Sequence, residues 1–207
     1  MRIELNNLTY KGILAWPDLV FESGAIHFIV GESGCGKSTL LKLLNHTLSP
    51  DTGQILADGR PLTAWDPLDL RRRISLVAQE AWLFPGTVRD NFREVYGLRG
   101  LPLPSDAELE GFCRLCRVDF PLDHDTAGFS GGERHRLFMA LFLSLRPPVL
   151  MLDEPTAALD EAGARQVLSN IIGYSRECGM TALIVSHDRD LVALFSENTV
   201  ELRRGVR

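Results

Sequence analysis

The sequence predicts an α/β fold: a RecA-like parallel sheet flanked by helices, with an antiparallel β part and an inserted helical part. Three observations predict it. Four short apolar runs, "IHFIV", "ISLVA", "VLML" and "ALIV", each end in a loop of polar residues, the pattern of strands buried on both faces of a parallel sheet. Helical patterns fall between those runs. The 207 residues, 45% hydrophobic and 24% charged, suit one domain with a substantial core.

In chain order, "RIELNNLTY" and, later, "GQILADG" read as antiparallel strands with turns. "IHFIV" is the strand before Gly31. "KSTLLKLLNHTL" is a helix with Leu40, Leu41, Leu44 and Leu48 on one face. "ISLVA" ends at Gln79, and the triple arginine at 71–73 before it reads as a solvated face. The stretch 80–146 differs from its flanks: it holds "LRGLPLPSD", helical material and the very apolar helix "ERHRLFMALFLSL". It is expected to be a helical subdomain inserted into a core made of 1–79 and 147–207. "VLML" leads to Asp153, the amphipathic "AGARQVLSNIIGYSREC" follows, and "ALIV" leads to Ser186 and His187.

The formal net charge of −5 offers no broad attraction to nucleic acid or anionic lipid, so no nucleic-acid partner is expected. No apolar run reaches the roughly 18–20 residues of a membrane span, and "MRIELNNLTYKG" has no hydrophobic signal core. A cytoplasmic protein is expected. The pair in "CRLC", Cys113 and Cys116, has no second pair to complete a zinc site; both read as half-buried helical thiols.

Gly31-x-x-x-x-Gly36-Lys37-Ser38 matches the P-loop pattern, and it lies after a strand and before a helix as that pattern requires. Glycines let successive backbone N–H groups turn inward on an anion, and the helix adds its positive end. Gly31, Glu32, Ser33, Gly34, Cys35, Gly36, Lys37, Ser38 and Thr39 are therefore candidates for binding a nucleotide's phosphates. Lys37 can reach the β- and γ-phosphates, and Ser38 can place a hydroxyl on Mg²⁺. Adjacent carboxylates after a strand, Asp153 and Glu154, allow two roles: Asp153 can help hold Mg²⁺, and Glu154 can orient and polarise a water. In "FSGGERHRL", Ser130, Gly131 and Gly132 open a helix and form a second anion-receptive N-terminus.

Together, "FSGGERHRL" and "LMLDEPTAALD" resemble the nucleotide-binding domain of the ATP-binding cassette (ABC) ATPases, over essentially the whole chain. The family signature usually reads L-S-G-G-Q; here Phe129 stands for the leucine and Glu133 for the glutamine. The resemblance implies ATP and Mg²⁺ as ligands and makes Gln79 the Q-loop glutamine, in contact with the metal and the attacking water. It makes His187 of "LIVSHD" the switch histidine at the γ-phosphate and Asp160 the D-loop aspartate that communicates across a dimer. It also implies an aromatic residue stacked on adenine, for which Tyr10 is preferred and Trp16 competes. Glu154, His187, Gln79 and Lys37 would then be the catalytic set.

The resemblance further implies two such subunits head to tail, like or unlike, with Ser130 and Gly132 of one completing the phosphate site of the other. Cys35 lines the loop, so its thiol is expected to be open to alkylation when the site is empty. The leading reading is the ATPase subunit of a transporter on the cytoplasmic face of a membrane, docked to a separate polytopic permease through 82–92. The spacing of "WLFPGTVRDNF" looks more like the family's exporter pattern than its importer one. Alternatives are a soluble ABC ATPase working on nucleic acid or ribosomes, and a small P-loop nucleotide kinase.

Overall fold

A computed structural model describes residues 1–203. The N-terminal part contains β1 (Ile3–Tyr10), β2 (Leu14–Ala15), β3 (Leu19–Phe21), β4 (Ile26–Gly31), α1 (Lys37–Leu44), β5 (Thr52–Ala57), β6 (Arg60–Pro61), α2 (Pro67–Arg73) and β7 (Ile74–Val77). The helical stretch contains α3 (Val88–Arg99), α4 (Asp106–Leu115) and α5 (Gly131–Ser144). The chain returns through β8 (Val149–Asp153), α6 (Glu161–Glu177), β9 (Thr181–Val185), α7 (Arg189–Phe195) and β10 (Asn198–Leu202).

All four apolar runs become strands of one parallel sheet, ordered β10-β4-β9-β8-β7. A second, antiparallel sheet pairs β1 with β2, β3 and β5, and β5 with β6. The parallel strands read as continuous apolar runs because both their faces are covered. Phe28, Val77, Leu150, Leu152 and Ile184 join one buried cluster with residues of α3 to α6. Ile29, Ile74, Met151, Leu183 and Val185 join the other, with α1 and the antiparallel sheet. Phe92 of α3, Leu109 of α4 and Leu137 of α5 lie in the same cluster as the sheet, so the helical stretch shares its core with the strands.

Two local expectations are corrected. Helix α1 stops at Leu44, because His46 takes a left-handed φ of 56° and the N–H groups of Thr47 and Leu48 both donate to the Lys42 carbonyl; Leu48 still packs on the core from beyond the helix. Cys113 and Cys116 are fully buried instead of half-buried. Burial pushes the Cys113 thiol up to about 12 and the Cys116 thiol higher still, which leaves both inert as ligands or nucleophiles. The arginines at 71–73 are exposed at the end of α2, as expected. Among the described residues no helix is long and apolar enough to cross a membrane.

Candidate nucleotide site

The sheet order brings the ends of β4, β9 and β8 side by side, which gathers loops far apart in sequence at one edge. Between β4 and α1 the loop turns through left-handed backbone at Gly34 (φ 77°) and Gly36 (φ 98°). A Cβ at Gly36 would lie 3.1 Å from Leu14 and Trp16 side chains, and one at Gly31 would strike the Leu202 carbonyl at 2.3 Å. Gly36 is the N-cap of α1 and no side chain caps that helix, so its first N–H groups remain available to an anion. Lys37 is buried, and its Nζ donates to the Gly31 and Glu32 carbonyls at 2.8 and 3.0 Å. Its charge therefore sits inside the loop, held by two neutral carbonyl acceptors.

The Cys35 side chain does not line the loop as expected. It is 3% exposed and belongs to the core beneath, because the turn at Gly34 and Gly36 points it inward, towards Gly31. Trp16 is likewise buried under Gly36, so its ring face is not open to a base. Tyr10, at the end of β1, is half-buried with Lys11 Nζ 5.5 Å from its ring centroid.

Asp153 ends β8, 5% exposed. Burial pushes its carboxyl above the usual range, against the Ser38 hydroxyl and the charges of Lys42 and Lys37. Its Oδ1 has no partner. A buried carboxylate with an orphaned oxygen beside a hydroxyl fits a hard divalent cation that completes its shell with phosphate oxygens and water. No cluster of three or more His, Cys, Asp or Glu suited to a metal occurs among the described residues, so the protein alone offers no full cage.

Glu154 has a left-handed φ of 53°, a rare conformation for its type, and its N–H donates to the Val185 carbonyl of β9. Its side chain stands between two others: Oε1 lies 2.7 Å from His187 Nε2, and Oε2 accepts from Gln79 Nε2 at 3.4 Å. Residues 79, 154 and 187 thus meet at the ends of β7, β8 and β9. His187 and Glu154 also line a cleft of about 420 Å³ with Ser186 and Thr156.

The structure does not bring the serine–glycine helix to this site. Ser130 is exposed and caps α5 in a reciprocal box, its N–H and Oγ both donating to Glu133 Oε2 at 2.7 Å. These bonds hold the Glu133 carboxyl below its usual range. A Cβ added at Gly132 would face Ala158 and Arg136, and no hydrogen bond joins Ser130–Gly132 to the Lys37 loop among the described residues. Asp160 caps α6, accepting from the Gly163 N–H at 2.9 Å. The motifs missed His135, buried on α5 with its Nε2 left without a hydrogen-bond partner. Its signal was a polar residue on an apolar stripe, with Met139 and Leu143 at the following i+4 positions.

Comparisons with known proteins converge on one group. Residues 16–157 match the family model described as ABC transporter. A cobalt import ATP-binding protein, CbiO, of Rhodobacter capsulatus is 39% identical over 96% of this chain and 74% of its own length. A probable iron export ATP-binding protein, FetA, of Escherichia coli is 35% identical over 91% of this chain and 85% of its own. Among solved structures, a bacterial Atm1-family ABC exporter with ATP bound superposes with a TM-score of 0.86 at 28% identity. That match covers 99% of this chain and 37% of the exporter chain.

Proposed function

This chain belongs to the ABC transporter family and is an ATPase of that family; from that premise we propose that it is a transporter's energising subunit, working head to tail with a second ATPase subunit on a separate membrane permease. The observation that carries the catalytic part is the Gln79–Glu154–His187 cluster at the edge of the sheet that also bears the Lys37 loop.

In this reading the loop N–H groups and Lys37 bind the β- and γ-phosphates of ATP, and Lys37 Nζ exchanges its two carbonyl contacts for phosphate oxygens. Ser38, Asp153 and Gln79 hold Mg²⁺, which supplies charge neutralisation at the phosphates. Glu154 releases Gln79 and His187 and accepts a hydrogen bond from the attacking water, orienting it towards the γ-phosphorus. His187 then donates to the γ-phosphate, where charge develops. Tyr10 remains the adenine-stacking candidate, since Trp16 is committed to the core. Ser130 to Gly132 of the second subunit close the phosphate site, and Asp160 contributes at the same subunit boundary.

Docking to a permease is supported at 82–92. Trp82 is 61% exposed and packs edge-on against Phe84, 4.4 Å between centroids. Leu83, Phe84, Pro85 and Arg134 line an adjoining groove of about 420 Å³. Relatives named for import and for export are similarly close to this chain, so the proposal is ATP-driven transport in either direction.

Steady-state hydrolysis by the purified chain and by Glu154→Gln tests the reading. The wild type is expected to form ADP and phosphate from Mg-ATP without AMP. The variant is expected to bind ATP, lose about 10²-fold or more in turnover and accumulate an ATP-bound dimer. Turnover by the variant comparable to wild type overturns the assignment of Glu154, and ADP formation that needs AMP overturns the hydrolase in favour of a phosphotransferase.

A further inference from the structure

We propose that the end of α2 and the last turn of α3 form a surface that rests on anionic lipid headgroups, giving the chain a weak, salt-sensitive membrane contact of its own. The inference does not depend on how ATP is used. It reaches beyond the permease docking proposed at 82–92, and one element carries both: α3 begins at Val88, inside that stretch, and ends at Arg99.

The overall charge of −5 conceals a local surplus of the opposite sign. Residues 60–73 and 96–101 hold five arginines, at 60, 71, 72, 73 and 99, against two acids, Asp66 and Asp69. Five positive charges less two negative ones give these stretches +3, which leaves −8 for the rest of a chain at −5. The fold gathers the arginines. Arg99 Nη1 donates to the Arg72 carbonyl at 3.2 Å and Nη2 to the Ser75 hydroxyl at 3.4 Å, which sets the end of α3 against the end of α2. Arg60 and Arg73 both lie over the Trp65 ring, 4.7 and 5.5 Å from its centroid. Among the described residues, the one ion pair these five arginines make is Arg72 with Asp69, at 3.6 Å between exposed side chains, where solvent weakens it. Arg99 is half-buried, and burial together with the charge of Arg72 holds its guanidinium below its ordinary value. The positive charge here is therefore gathered but not neutralised.

Large apolar side chains stand among these charges. Leu98, beside Arg99, is 70% exposed. Leu68, which shares a face of α2 with Arg72 at i, i+4 spacing, is 65% exposed. Leu101 is exposed as well. A lipid surface answers both features: guanidinium forks meet phosphate oxygens in bidentate fashion, while leucines and an indole enter the headgroup boundary. Side chains this exposed project from their surroundings, and a fluid surface receives a projecting leucine without a pocket built for it. Such a contact is reversible, because a small basic and apolar patch falls short of a stable anchor.

The test is flotation of the purified full chain with vesicles of phosphatidylcholine alone and of phosphatidylcholine with about 30% phosphatidylglycerol. Binding is expected to the anionic vesicles only, falling about tenfold or more between about 0.1 M and about 0.5 M NaCl. The double variant Arg72→Glu/Arg73→Glu is expected to lose about tenfold or more in binding, and Leu98→Ser about threefold. Arg114→Glu/Arg203→Glu makes the same charge change at exposed arginines outside this surface and is expected to bind like wild type. Basal ATP hydrolysis should be unchanged in all of them. Where Arg72→Glu/Arg73→Glu does not fold, Arg72→Gln with Leu98→Ser takes its place and is expected to show the same loss. Absence of binding to the anionic vesicles, equal binding to neutral ones, or equal losses in the two charge-reversed doubles overturns the inference. Capture by immobilised poly-glutamate without vesicle binding would give the patch to an acidic protein partner and overturn it likewise.

Discussion

At Asp153 the folded chain carries the cost of a buried carboxylate. The native carboxyl, buried with an unpaired Oδ1, binds its proton more tightly than the unfolded one would. Between the unfolded and the raised native values the native state therefore holds more protons, and stability falls as pH rises through that interval. Asp153→Asn removes the charge and keeps the shape. It is expected to raise the melting temperature at neutral pH without Mg²⁺, with the gain vanishing as pH falls below the carboxyl's titration, while Mg²⁺-dependent ATP binding is lost. Thermal unfolding across pH, paired with calorimetric titration of Mg-ATP, checks both halves. Gly36 makes the complementary case: its φ of 98° and the 3.1 Å approach of Leu14 and Trp16 to an added Cβ mean that Gly36→Ala should cost roughly 1–3 kcal/mol and weaken ATP binding with it, read by denaturant unfolding and fluorescent-nucleotide affinity. The motif residues were legible because their chemistry lies in their spacing. The direction of the Cys35 and Trp16 side chains was not, because it depends on left-handed turns at glycines that spacing does not reveal.

Helix α3 shows how an element can carry a motif for reasons of its own. The pattern Phe84-x-Gly86-Thr87-Val88-x-x-Asn91, which had suggested export, is accounted for locally. Thr87 and Asp90 form a reciprocal capping box. Asn91, fully buried, accepts from the Phe84 N–H at 2.8 Å and donates to the Phe84 and Thr87 carbonyls at 3.1 and 3.0 Å. The spacing is what a loop folded back on its own helix requires, whichever way cargo moves. Asn91→Ala would leave the Phe84 N–H and carbonyl without these partners, while the Thr87 carbonyl keeps the backbone N–H of residue 91, and is expected to cost about 1–3 kcal/mol. Faster amide exchange at 83–87 and weaker recovery of a permease partner should follow, with ATP affinity little changed; unchanged exchange there would remove Asn91 from this role. Strand periodicity exposed the parallel sheet because burial on both faces leaves long apolar runs. It could not show that α3, α4 and α5 share the sheet's core, since helical patterning records that a face is buried and not what it is buried against.

On the scale of the whole molecule, the proposed pairing turns on two groups that one chain keeps apart. Ser130 spends its donors on Glu133, and no hydrogen bond joins it to the Lys37 loop among the described residues. Lys37 meanwhile turns inward to two carbonyls. Each half is stable in a resting arrangement that a phosphate between them would replace, and a head-to-tail pair is the closed symmetry that puts one half before the other twice. Mixed subunits test this without any assumption about cargo. Lys37→Ala chains keep an intact signature helix, and Ser130→Ala chains keep an intact phosphate loop. Each alone is expected to be nearly inactive. In an equimolar mixture, half the dimers pair the two kinds and contain one fully intact site, so activity should return to roughly a quarter of wild type if the sites fire independently. A still lower recovery, with the mixed dimer present by native mass spectrometry, would mean that one intact site cannot fire alone. Substantial activity in the unmixed Ser130→Ala chain would instead mean that each chain closes its own site.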